Sequence, residues 1–178
     1  MINWKSISLK DLAGFISEKL REEEIEATLV GGACVTIYSK NRYQSYDLDF
    51  VTYEDMKKVK KVLLSLGLDE KSGYFQHKDC KWFIEFVSPP IAVGNEPIEI
   101  LNEFSTPLGT IKMLTVHDSL KDRLASYYHW NDKQALEQAL QICRENAIDI
   151  GKIEAWSKKE NMLDKFQLFL TRLKDISK

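Results

Sequence analysis

The spacing of hydrophobic positions changes several times along the chain, and each change predicts an element. Leu9, Leu12, Phe15, Ile16 and Leu20 recur at helical spacing, which predicts an amphipathic helix over residues 8–25. Ser8 and Asp11 there are spaced as a capping box with Asp in place of Glu. Ala27-Thr28-Leu29-Val30 is a short β-prone run that stops at Gly31-Gly32, and Ala33 to Tyr38 fits a helix or a strand equally well. Residues 46–52, Tyr-Asp-Leu-Asp-Phe-Val-Thr, alternate polar and apolar with the period of a strand. Met56, Val59, Val62, Leu63 and Leu66 restore the helical period over residues 54–66, with Gly67 as the stop. A short strand is expected at Tyr74-Phe75 and a strong one from Lys81 to Val87, ended by Pro89-Pro90. Residues 91–97 read as a loop. Ile98 to Phe104 and Ile111 to Leu114 are expected to pair across Pro107-Leu108-Gly109. Beyond Thr115, a plausible N-cap, residues 116–175 read as helices only, with a break at Asn131-Asp132. The expected fold class is α/β (α+β): a small mixed sheet flanked by helices over residues 1–114, then an all-helical C-terminal extension, residues 115–178, packed on that core.

Composition narrows the class without naming a function. With 178 residues the chain suits one ordinary domain or a small core with an extension. It is long enough to bury roughly 70% of the surface its unfolded form exposes. A net charge of −2 argues against a dedicated, strongly basic nucleic-acid binder, though not against local basic patches. Cys34, Cys80 and Cys143 lie far apart with no Cys-x-x-Cys or Cys/His ligand spacing, so a zinc ribbon is not expected and a reducing compartment is. No apolar leader opens the chain, and no apolar run approaches the ~18 residues of a membrane span. The expected location is the cytoplasm, with no membrane partner.

The chemistry centres on Asp47-Leu48-Asp49. On a strand, residues two apart share a face, so Asp47 and Asp49 project together while Leu48 and Phe50 turn inward. Two neighbouring carboxylates repel unless a cation lies between them, and such hard oxygen ligands suit Mg²⁺ or Mn²⁺. Taken alone, an Asp-x-Asp is more often a solvated strand face. Gly31-Gly32 follows a strand and precedes a possible helix, a place where backbone N–H groups meet phosphate, although an ordinary turn has the same appearance. Glu85 interrupts the apolar run Trp82 to Val87; it is either paired or metal-bound, or it points outward from an edge strand. Lys121 and Arg123 lie on adjacent faces of one predicted helix and could neutralise a triphosphate. Tyr127 and Trp130 are expected to pack, and His129 to be structural.

Gly31-Gly32, Asp47-Leu48-Asp49-Phe50 and Ile84-Glu85-Phe86, in that order, resemble the signature of the DNA polymerase β-like nucleotidyltransferase superfamily. The resemblance covers residues 25–115. It implies a small mixed nucleotidyltransferase sheet, with Asp47 and Asp49 as ligands of two divalent ions and Glu85 as the third acid, a ligand or a base. Gly31 and Gly32 would line the nucleotide. The glycine at Gly32 stands where many active members carry Ser. The helix from Asp118 to Gln134 is similar to the abortive-infection and toxin–antitoxin branch. That similarity implies nucleotide contacts for Lys121 and Arg123 and a role for Asp132.

The activity so implied is transfer of a nucleotidyl group from an NTP to a hydroxyl of RNA (tRNA-like) or protein, with release of pyrophosphate. A cognate toxin or antitoxin would be the partner. Two alternatives stay open: a nucleotide-binding regulatory domain without turnover, and a transferase acting on a small, aminoglycoside-type molecule, for which Glu96, Glu99 and Glu103 would supply an acidic pocket. The loop from Ser88 to Pro97 either shapes acceptor choice or is a rigid connection.

Overall fold

The computed structural model describes residues 2–176; residue 1 and residues 177 and 178, the outer ends of the two expected segments, lie outside them. In chain order the elements are α1 (Leu9–Arg21), β1 (Thr28–Val30), α2 (Gly31–Tyr38), β2 (Asp47–Val51), α3 (Met56–Ser65), β3 (Leu68–Lys71), β4 (Tyr74–His77), β5 (Phe83–Val87), β6 (Ala92–Val93), β7 (Glu96–Pro97), β8 (Leu101–Thr106), β9 (Gly109–Leu114), α4 (Val116–Trp130), α5 (Lys133–Glu145), α6 (Ile150–Lys159) and α7 (Leu163–Ile176). They form two compact units. The first gathers Met1–Cys34, Ser45–Pro90 and Leu101–Leu114; the second gathers Val35–Gln44, Ile91–Ile100 and Thr115–Lys178. Mixed α/β architecture with a helical C-terminal part is therefore the fold class of the chain.

The first unit is built on a seven-stranded sheet in the order β3-β4-β5-β2-β1-β9-β8. The pairs β2–β5 and β1–β9 are parallel and the rest antiparallel, so the sheet is mixed. Strand alternation gives it one apolar face: Leu29, Leu48, Phe50, Ile84, Ile111 and Met113 are all fully buried. Phe50 and Phe86 stack at 5.9 Å, and Phe75 meets Phe86 edge-on at 6.4 Å. Each such buried side chain contributes about 1.5–3 kcal/mol. Helix α1 buries Leu9, Leu12, Ala13, Ile16 and Leu20. Ser8 is its N-cap: the Asp11 N–H donates to Ser8 Oγ at 3.0 Å, while the Asp11 carboxylate accepts from the Ser8 hydroxyl at 2.7 Å rather than from the Ser8 N–H that a capping box would use.

Several boundaries differ from the periodicity. Helix α1 stops at Arg21 rather than 25, because Glu24 takes a left-handed conformation (φ 57°). Strand β3 has no alternation to find in Leu-Asp-Glu-Lys; it exists because it pairs with β4 at the sheet edge. Ala33 to Tyr38 resolves as helix. The expected loop over 91–97 contains the small ladder β6–β7, which turns at Gly94 (φ 58°). Strand β8 starts at Leu101, so residues 98–100 are not part of it.

In the second unit, α4 to α7 bury Leu120, Leu124, Leu140, Ile153, Trp156, Phe166 and Phe169 in one core. The Tyr128 hydroxyl meets Ser157 Oγ at 2.8 Å, and burial pushes the phenol up to about 12. Tyr127 is buried as expected, whereas Trp130 is 76% exposed and does not pack. The break at Asn131-Asp132 is real. Asn131 caps α4 in the left-handed region (φ 55°), and Asp132 opens α5 as its N-cap. Asn146 donates to the Tyr38 carbonyl at 2.8 Å and ties α2 to the end of α5.

Candidate active site

Sheet register brings the three acids of the first unit onto one face. Asp49 is the parallel partner of Glu85, and Asp47 stands two residues back on the same strand. Neighbouring strands lie ~4.8 Å apart, so the Asp49 and Glu85 backbones are lateral neighbours. All three acids are half-buried, while Leu48 and Ile84 between them are fully buried on the opposite face. Glu85 is not on an edge strand, since β5 lies between β2 and β4. Asp47 also accepts a hydrogen bond from the Ser45 hydroxyl.

The glycine turn meets the same carboxylates. Val30, the last residue of β1, is the antiparallel partner of Asp49. Gly31 follows with φ 65°, and a Cβ placed on it would lie 2.4 Å from Asp49 Oδ2. The position thus demands glycine twice, for its left-handed backbone and for the carboxylate beside it. Gly32 comes next, within the first turn of α2, where helical N–H groups have no intrahelical partner. Asp47, Asp49, Glu85, Gly31 and Gly32 are thereby gathered in one unit.

The donors suit a hard cation: carboxylate oxygens, half-buried, on adjacent strands. Among the described residues no group of three His, Cys, Asp or Glu side chains that could hold a metal ion is found, so the expected three-acid ligand set of Asp47, Asp49 and Glu85 is not assembled here. Mg²⁺ can be held by one or two carboxylates together with substrate phosphates. Asp47 and Asp49 are the residues that would hold it.

Lys121, Arg123 and Asp132 stand in the second unit, each with partners there. Lys121 is 16% exposed; it donates to Glu96 at 3.1 Å and lies 3.7 Å from Asp118. Arg123 pairs with Asp122 and donates to Gln138 at 3.2 Å. Asp132 accepts the Ala135 N–H at 3.0 Å as the N-cap of α5. Asp132→Ala should cost about 1 kcal/mol of stability and Asp132→Asn almost nothing, because Asn caps as well as Asp. Thermal unfolding of both variants, beside their NTP affinity, separates the cap from any nucleotide contact: a lower affinity in Asp132→Asn alone reports the contact.

Pattern reading missed what holds the β6–β7 ladder. Glu96 bridges Lys159 at 2.9 Å and Lys121. Lys159 first, then Lys121, holds its carboxyl below the ordinary carboxylate range. The Asn95 N–H donates to Glu160 at 3.3 Å, and the buried Glu160 also meets His129 Nε2 at 3.1 Å. The sequence signal was Glu96 itself, between Asn95 and Pro97, in a loop read as an acceptor-shaping or rigid connection. A lowered folded-state pKa means that the contribution of Glu96 is present above the normal carboxylate range and is lost as pH falls through its folded value. Hydrogen-exchange protection of the Ala92–Glu96 amides should therefore fall under acid, and Glu96→Gln should lower it at neutral pH and remove that part of the pH dependence.

This chain has a nucleotidyltransferase-like fold. It superposes on an antigenic nucleotidyltransferase-like protein from Paracoccidioides brasiliensis with a TM-score of 0.58 at 14% identity, over 78% of this chain and 76% of that one. The antibiotic-resistance factor ANT(2'')-Ia in solution superposes with a TM-score of 0.51 at 13% identity, over 95% and 96% of the two chains. The same factor crystallised with adenylyl-2''-tobramycin gives 0.50 at 13% identity, over 86% and 93%. No family model and no curated protein matches the sequence. Among the described residues no helix is long and apolar enough to cross a membrane.

Proposed function

We propose that the chain is a metal-dependent nucleotidyltransferase that moves a nucleotidyl group from an NTP to a hydroxyl. The observation that carries this reading is the row Val30–Asp49–Glu85, which sets a glycine turn, a ligand-type carboxylate and a third acid side by side on one sheet face. In this reading the N–H groups at the start of α2 face the phosphates. Asp47 and Asp49 would hold the divalent ions, whose charge would offset that of the phosphates. Glu85 orients the acceptor hydroxyl and takes its proton.

For the acceptor, the near-complete mutual coverage with ANT(2'')-Ia supports a small hydroxylated molecule over RNA or protein. The pocket expected from the three glutamates is not part of that support. Glu96 is neutralised by two lysines, and Glu103 is the cross-strand partner of Lys112.

The test is incubation of the protein with each α-labelled NTP and Mg²⁺, against tobramycin in one arm and total RNA and cell protein in another. The expected result is pyrophosphate release with label on one acceptor class. Label on RNA or on a single protein would restore the macromolecular acceptor and a toxin–antitoxin setting. NTP binding with no release in any arm would leave a regulatory nucleotide-binding domain.

A further inference from the structure

The alternation that sets Asp47 and Asp49 on one face begins one step earlier, at Ser45. Its neighbours Gln44 and Tyr46 are exposed, yet Ser45 is only 3% exposed. It lies in the same unit as the acids, and its hydroxyl donates to Asp47 Oδ1. A buried hydroxyl needs a partner, but a backbone carbonyl satisfies it as well as a carboxylate does. Other serines of this chain take that course: Ser65 donates to the Val62 carbonyl at 2.7 Å and Ser157 to the Ile153 carbonyl at 2.8 Å. Ser45 instead gives its proton to a carboxylate of the ligand type.

The consequence is orientational. An ionised carboxylate only accepts, so the direction of this bond is fixed, and charge makes it one of the stronger kind. It holds the Asp47 side chain with Oδ1 against Ser45. On Asp49, Oδ2 is the oxygen beside Gly31. Each acid thus has one oxygen placed by the chain around it. A carboxylate that turns freely loses that freedom when it takes up an ion, whereas one already oriented has lost it on folding.

We propose that Ser45 is a positioning residue for Asp47: its hydroxyl orients the carboxylate and leaves Oδ2 to the divalent ion. This rests on the nucleotidyltransferase reading above. Ser45 acts through Asp47 and touches neither ion nor nucleotide. Its effect therefore falls on how readily the ion is taken up, and not on the transfer step once the ion is in place.

The probe is Mn²⁺ alone, titrated into the intact protein and followed by the electron paramagnetic resonance of the free ion. Ser45→Ala should raise the Mn²⁺ Kd about tenfold, the scale of losing a hydrogen-bond partner behind a metal ligand, while Ser45→Thr, which keeps the hydroxyl, should stay within about twofold of wild type. In transfer assays the Mg²⁺ concentration for half-maximal rate should rise by the same factor in Ser45→Ala, with kcat at saturating Mg²⁺ within about threefold of wild type. A hydroxyl with a structural role alone would lower Tm in Ser45→Ala and leave Mn²⁺ binding unchanged, and that result overturns the proposal. So does a Ser45→Thr variant that loses as much Mn²⁺ affinity as Ser45→Ala. Absence of Mn²⁺ binding in wild type overturns it too, and the metal-dependent reading of the site with it. A loss in Ser45→Ala that Ser45→Thr restores, in a protein that transfers no nucleotide to any acceptor, would uphold the role of Ser45 and reject the nucleotidyltransferase reading instead.

Discussion

Asp49→Asn is expected to lower nucleotidyl transfer by at least about a thousandfold, some 4 kcal/mol of transition-state stabilisation, with little change in the melting temperature. Asp49 stands between the glycine turn and Glu85 in one row of the sheet. The glycine turn, Asp47 and Glu85 all flank it. Asn keeps the shape but gives up the charge that would hold a divalent ion. Asp49 is half-buried on the face it shares with Asp47 and Glu85, and the isosteric amide keeps its packing, so Tm should stay within about 2 °C of wild type. Steady-state transfer and thermal unfolding, measured on the same preparation, check both halves. A variant that melts early and is inactive only in proportion to its unfolded fraction would make Asp49 a structural residue.

Much of the frame around Asp49 was already visible in the residue pattern. Leu48, Phe50 and Ile84 are deeply buried, as their alternation required, and that alternation turns Asp47, Asp49 and Glu85 to a common face. The N-cap at Ser8 and the break at Asn131-Asp132 were legible because each rests on local backbone chemistry. Non-local features were not. Strand β3 is three polar residues after one leucine, and only its partner β4 makes it a strand. Tyr74 and Phe83 sit nine residues apart in sequence, and no period relates them. They meet because β4 and β5 pair in a register set elsewhere in the sheet. The same holds for Glu96 and Glu160: their partners Lys121, Lys159 and His129 come from helices 25 or more residues away. Charge in the sequence announced that these acids exist, but packing chose their cations.

Gly31 offers the sharpest structural test of the site, because two independent penalties meet there. A left-handed φ of 65° costs a residue with a Cβ about 1–2 kcal/mol. The Cβ itself would stand 2.4 Å from Asp49 Oδ2, too close for either atom to stay in place. Gly31→Ala should therefore lose about 1–3 kcal/mol in all, a fall in Tm of roughly 3–10 °C for a chain of this size. The second penalty reaches the chemistry as well. If the carboxylate moves by about 1 Å to make room, transfer should drop on the order of a hundredfold. A double-mutant cycle separates the two. With Asp49→Ala in the background the clash is gone and only backbone strain is left, so Gly31→Ala should cost distinctly less there than in the wild-type chain. Equal costs in both backgrounds would mean that Asp49 does not press on the glycine turn, and the geometry that ties the turn to the acidic row would have to be abandoned.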